Sequence, residues 1–298
     1  MAETTFTGAD LRQTSTIFTS LYQIAVADVA NLRPLVKYRG DVSQSGANAV
    51  KTTVANLYSD KMAAANTNET TNLSSTILGD SAVTITAARQ GIFRDVTDMF
   101  FITGEPDIMA FIQAIRVSAW TRFTELLCGL FAAVTNSAGT ANQPFTVDDF
   151  YSALNTVEAA GATGPFYCVL NPTQFKNLRS SLRSEQIVYP KGAGDMLNAA
   201  KQAGYRGDLA DVQIWVTSQA TTGMLFDYQA FGYVDGIMPG SLLGLISNKI
   251  VSNGDASEKV WVEIDRDAAG GETFIVGNWY VGVGTVEEAR ACEILSGV

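Results

Sequence analysis

The chain contains no histidine. The commonest general base and the commonest zinc and copper ligand are therefore absent, and no Ser-His-Asp triad can be built. Its cysteines, Cys128, Cys168 and Cys292, are odd in number and far apart. They form neither a disulfide framework nor a metal knuckle and read as small buried hydrophobes in a reducing compartment. There is no GxxxxGK phosphate loop and no Gly-x-Ser-x-Gly elbow. Gly282-Val283-Gly284-Thr285-Val286-Glu287 lacks the third glycine of a dinucleotide loop. Asp265-Arg266-Asp267 with Glu272 offers carboxylates, but not at the spacing of a calcium loop, and reads as a charged hairpin turn. No catalytic residue, cofactor site or metal site is expected.

Positive charge is also scarce. Twenty Lys and Arg face thirty Asp and Glu, for a net charge of −10 over 298 residues. Such a surface does not wrap nucleic acid through a basic face. Long apolar runs are missing: Arg116, Arg122 and Glu125 interrupt the most hydrophobic stretch, which excludes a membrane helix there. Residues 1–10 lack the charged-then-apolar pattern of a secretion signal. With 47% apolar and 17% charged residues, the composition is that of a packed protein with a sizeable core.

The strongest periodic feature lies in residues 105–134. Ile108, Ile112, Ile115, Ala119, Phe123, Leu126, Leu130 and Val134 recur at helical spacing, widened by Met109, Phe111, Trp120, Leu127 and Phe131. The spacing predicts one long helix, opened by Glu105, Pro106 and Asp107 and ending near residues 135–139. Before it, Val50, Thr52 and Val54 alternate, as do Val83, Ile85 and Ala87, followed by Ile92, Arg94 and Val96. These predict a long hairpin whose connection, residues 59–81, is rich in Asn, Thr, Ser and Ala and cannot build a core of its own. A protruding loop of this kind moves or grips something. Residues 1–48 read as an arm carrying Arg12, Arg33, Lys37 and Arg39.

After the helix an α/β region begins. Thr146 and Asp149 form a capping box flanked by Phe145 and Phe150 as a staple, and Gly161 closes that helix. Phe166 to Leu170 predicts a buried strand, and Asn171-Pro172 opens a helix with Phe175, Leu178 and Leu182 inward. Val212, Ile214 and Val216 predict another strand, and residues 224–231 one more. Val260, Val262 and Ile264, then Phe274, Val276, Trp279, Val281 and Val283, alternate around a turn at residues 265–271. Residues 287–295 close the chain as a short helix or strand. No internal repeat is present.

This order of elements resembles the major capsid proteins of tailed bacteriophages, with the Hong Kong ninety-seven-like fold. Residues 50–96 look like its extended hairpin, the E-loop. Arg94-Asp95-Val96-Thr97-Asp98 resembles the lead into its spine helix. Phe166-Tyr167-Cys168-Val169-Leu170-Asn171-Pro172-Thr173-Gln174-Phe175 resembles its strand-Asn-Pro-helix, and residues 207–214 the strand that follows, although Asp211 stands where glycine is common. The resemblance implies an α+β phage capsid fold: N-terminal arm (1–48), E-loop (49–98), peripheral-domain spine helix (99–140), α/β axial domain (141–255), peripheral-domain strands (256–284) and return to the axial domain (285–298).

It further implies a non-enzymatic structural subunit that self-assembles, as hexamers and pentamers, into an icosahedral head. That head encloses double-stranded DNA without sequence-specific binding and without a membrane. Portal, and decoration or scaffolding proteins, are the other implied partners. The protein would reside in the virion capsid and assemble in the host bacterial cytoplasm. Asp60, Lys61, Glu69, Ile77, Leu78, Arg33, Lys37 and Arg39 are the expected contacts between copies. An encapsulin-type shell around protein cargo is the alternative on the same fold, and a soluble α/β enzyme the alternative of another class.

Overall fold

The structure, a computed structural model, describes residues 31–42, 49–55, 80–97, 108–184, 204–236, 250–252, 259–267 and 269–297. The expected helix start at residues 105–107, the hairpin tip and most of the arm lie outside them. A 3-10 turn at Arg33–Leu35 leads into β1 (Lys37–Asp41), followed by β2 (Ala49–Ala55), β3 (Asp80–Thr86) and β4 (Ala88–Thr97). Helix α1 (Ile108–Cys128) precedes β5 (Ser137–Gly139), α2 (Val147–Ala159), β6 (Phe166–Leu170) and α3 (Pro172–Ser184). Then come β7 (Tyr205–Leu209), β8 (Val212–Val216), β9 (Gly223–Asp227), β10 (Phe231–Gly236), β11 (Ile250–Ser252), β12 (Trp261–Asp267), β13 (Glu272–Thr285) and β14 (Ala291–Leu295). Among the described residues, no helix is long and apolar enough to cross a membrane.

Two six-stranded sheets carry the α+β architecture. The first runs β1-β10-β13-β12-β11, with β4 also on β13. Its axis is β13, which pairs antiparallel with β12, β10 and β4. Along β13 side chains alternate by the strand period: Ile275, Trp279 and Val281 are buried toward α1, and Gly277 makes room for Ile115. The second sheet runs β5-β14-β9-β6-β8-β7, and α2 and α3 share a core with it. The β2–β3 hairpin base is a separate two-stranded sheet. It lies over the end of β13, where a Cβ on Gly282 would collide with the Thr86 carbonyl.

The local signals behave as their chemistry dictates. Thr146 Oγ1 accepts from Asp149 N while Asp149 reaches back to Thr146 N, and Phe145 and Phe150 are buried beside them. Asn171 and Gln174 repeat the device at α3: Gln174 N donates to Asn171 Oδ1 at 2.8 Å and Asn171 N to Gln174 Oε1 at 3.1 Å. The β7–β8 turn places Ala210 and Asp211 at φ 50° and 61°, a conformation that Asp tolerates better than most residues. Thr146→Ala removes both hydrogen bonds of Oγ1, the one it accepts from Asp149 N and the one it donates to Asp149 Oδ2, and should cost about 1 kcal/mol. Thermal unfolding will show it as a drop of a few degrees, and an unchanged midpoint would mean that the cap is redundant.

Four expectations need correction. The long helix ends at Cys128, not near residue 135. Gly129 follows, then a separate 3-10 turn at Phe131–Ala133, because Phe131 swings into a cluster with Phe226 and Phe231. The return of the hairpin breaks at buried Ala87, and β4 pairs with β13 instead of β2. Residues 224–231 are not one strand: Ala230 N donates to Asp227 O at 2.9 Å, turning the chain from β9 into β10 and from one sheet to the other. Residues 287–295 contain both a 3-10 turn at Glu288–Arg290 and a strand.

Candidate functional site

The arm's described end is built into the first sheet. Leu32, Leu35 and Val36 are buried in the main core, and β1 lies parallel to β10 as an edge strand. A charge cluster fixes it there. Asp235 on β10 offers one carboxylate oxygen to each of two cations: Oδ2 to Arg33 Nη2 at 3.1 Å and Oδ1 to Lys259 Nζ at 2.6 Å. Lys259 also meets Asp41 at 2.7 Å and Tyr38 Oη at 3.0 Å. The Arg33 guanidinium sits 5.2 Å from the Tyr233 ring and 5.8 Å from Phe123 of α1, so cation–π contact joins helix, arm and sheet.

Burial alone would lower the Lys259 ammonium, but its bonds from Asp235, Asp41 and Tyr38 outweigh that and hold it above the ordinary lysine range. A raised amine contributes stability that is complete below its unfolded pKa and is lost as pH rises through the folded one. The cluster thus holds at neutral pH and weakens only in strong alkali. Burial pushes Arg39 down, partly offset by Glu287, and its Nη2 donates to Gln229 O at 3.2 Å.

Among the residues expected at contacts between copies, Arg33 and Arg39 thus have partners within the subunit, and Lys37 is half-buried on β1. Asp60, Lys61, Glu69, Ile77 and Leu78 lie outside the described residues. Sequence reasoning missed Asp41, Asp235 and Lys259. They are scattered single charges with no local motif, and only strand pairing brings them together.

A second feature is the sheet face turned away from α1. The hairpin base covers its upper part through Val42, Ile85, Ala87, Val234 and Val286. Beyond that cover, Phe93 is 58% exposed and packs against Phe274 at 5.3 Å. Cross-strand partners share a face. The pairs Phe274–Asp95, Phe274–Asp265, Val276–Glu263 and Glu272–Asp267 therefore ring these aromatics with carboxylates. An apolar centre with an acidic rim is the anatomy of a protein contact.

The three thiols are buried. Burial pushes Cys128 up to about 12 and Cys292 up to about 11, and raises Cys168 as well. They remain protonated and unreactive at neutral pH.

No family model and no curated protein matches the sequence. Solved structures do. One from Mycobacterium phage Che8 is 17% identical and superposes over 90% of this chain and 91% of its own, at a TM-score of 0.62. The head structure of Helicobacter pylori bacteriophage KHP40 matches at 10% identity over 88% and 86%, with a TM-score of 0.60. A virus-like particle from Pyrococcus furiosus matches at 9% over 92% and 96%, with a TM-score of 0.53. The chain has the fold of tailed-phage major capsid proteins.

Helix α1 lies on the β13 sheet, α2 and α3 pack on the second sheet, and β2–β3 stands apart as a two-stranded hairpin. The charge cluster sits where β1 joins β10, and the acid-rimmed aromatic face lies beside the β2–β3 hairpin on that same sheet.

Proposed function

We propose that the chain is a structural, non-enzymatic major capsid protein, many copies of which assemble into an icosahedral head around double-stranded DNA. The observation that carries this is the likeness to phage heads along about nine tenths of both chains. Hexameric and pentameric capsomers are its units. The protein belongs to the virion capsid and assembles in the host bacterial cytoplasm, with portal and scaffolding or decoration proteins as partners. A net charge of −10 favours enclosing DNA without gripping it.

In this reading the hairpin tip reaches an adjacent copy. Asp60, Lys61 and Glu69 meet charged groups there, and Ile77 and Leu78 meet apolar surface. Lys37 borders such a contact, while Arg33 and Arg39 act within the subunit.

Electron microscopy of the purified protein tests the assembly, with closed shells, capsomers or tubes as the expected result. Removing residues 66–75 should leave a soluble, folded subunit that makes no closed shells. Normal shells from that deletion would reject the role of the hairpin. Uniformly monomeric full-length protein, with scaffold supplied, would reject the capsid reading itself. A second reading on the same fold is a shell around protein cargo; a virus-like particle from Pyrococcus furiosus also matches, but at a TM-score of 0.53 against 0.62. Nuclease-protected DNA inside particles separates the two.

A further inference from the structure

Among the described residues the chain passes between the two six-stranded sheets three times: through residues 129–136, 228–230 and 286–290. The two sheets share an apolar core through Phe131, Phe226 and Phe231, but apolar packing is non-directional and does not by itself fix an angle. Here the connections are bound to one another. Val286 N and Glu287 N both donate to Ala230 O, at 2.8 and 3.1 Å. Arg290 Nη1 donates to Asp227 Oδ2 at 3.0 Å, and Arg290 Nε pairs with Glu287. On the other side, Glu288 Oε1 accepts from Thr135 N at 2.8 Å and from Thr135 Oγ1. Asn136 Nδ2 donates to Ala289 O and Ala291 O, each at 3.3 Å, and Glu293 N donates to Asn136 O at 2.8 Å. Residues 286–290 are thus the middle strand of a knot that grips both other crossings.

Asp227 is completely buried, and the side chain of Arg290 is only 14% exposed. A buried ion pair adds little net stability over apolar groups of the same volume, because desolvation offsets the attraction. What the planar guanidinium adds is direction: its fork faces Asp227 at the end of β9 and Glu287 on its own crossing, which a lysine ammonium cannot reproduce. Bonds of fixed direction across all three crossings set an angle between the sheets.

We propose that the Arg290 knot is an orientation lock, and that a shell built from these copies takes its curvature from the angle it fixes. This rests on the capsid reading. A head of hexamers and pentamers varies the contacts between its copies; a subunit of fixed sheet angle confines that variation to the contacts, whereas one that rocks yields open or mixed products.

The test compares three chains: unaltered, Arg290→Lys, and Asp227→Asn with Arg290→Gln, which removes both charges together and leaves neither buried alone. Hydrogen exchange by mass spectrometry reads the subunit and electron microscopy reads the particles. In the doubly altered chain, exchange at Val286, Glu287 and Thr135 should rise about tenfold or more, while β8 and β12 stay within about threefold of the unaltered protein. Its particles should be open or spread in diameter, with Arg290→Lys in between. Unchanged exchange at the junction would overturn the lock. So would loss of protection throughout both sheets, which would make the knot a folding element. Looser junctions with particles of one unaltered diameter would overturn the link to curvature. If the unaltered chain forms no particles, the capsid reading fails, and the exchange data still decide the lock.

Discussion

Replacing Asp235 by alanine is expected to destabilise the subunit by about 3–5 kcal/mol, the range for breaking one side of a buried ion pair. The carboxylate is 3% exposed and divides its oxygens between Arg33 and Lys259. Without it, two cations held against Tyr233, Phe123 and Tyr38 lose the acid they share, Lys259 keeping Asp41, and the local charge becomes more positive in a site with little water. At roughly 2–4 °C per kcal/mol for a chain approaching this size, the unfolding midpoint should fall by about 10 °C. Asp235→Asn keeps the shape and should cost less. Adding Arg33→Met to Asp235→Ala leaves Lys259 its Asp41 partner and removes the other cation, so it should recover part of the loss. Denaturant unfolding followed by tryptophan fluorescence measures all three. A loss under about 1 kcal/mol for Asp235→Ala would mean that the cluster behaves like an exposed salt bridge and does not hold the arm.

Where the controlling interaction is local, the sequence already contains the structure. The two helix starts are written within four residues each, Thr146 to Asp149 and Asn171 to Gln174, and both form as read. Alternation marked β8, β12 and β13 because one face of each strand meets a core. What could not be read depends on which strands become neighbours. Ala88 to Thr97 has the same alternation whether it continues a hairpin or joins β13. The choice follows from Gly282 and Gly277, whose bare backbones admit the hairpin and the helix against the sheet. The charge cluster is invisible for the same reason. Arg33 and Asp235 are 202 residues apart, and Asp41 and Lys259 are 218 apart.

The long helix offers the sharpest case. The periodic stripe runs through Phe123, Leu126 and Leu130, with Leu127 and Phe131 only widening it, yet Leu127 and Phe131 are fully buried while Leu126 and Leu130 are only partly so. Beside Val117, Thr124 and Cys128, four of the buried positions, Ile115, Ala119, Phe123 and Leu127, rise in steps of four. Each such step carries the face about 40° past a full turn at 3.6 residues per turn, so three steps rotate it by about 120°. A helix packed against one flat surface would not wind in this way. α1 does because it serves two surfaces: Ile115 meets Gly277 on the first sheet, while Phe131, just past its end, meets Phe226 on the second. Leu127 stands in the one core that both sheets share. Leu127→Ala should therefore cost about 2–5 kcal/mol, transfer and cavity terms together, against less than half of that for Leu126→Ala. Paired denaturation curves of the two variants are the measurement. Equal losses, or a larger loss at Leu126, would show that the helix buries the face read from its periodicity and that the winding is not used.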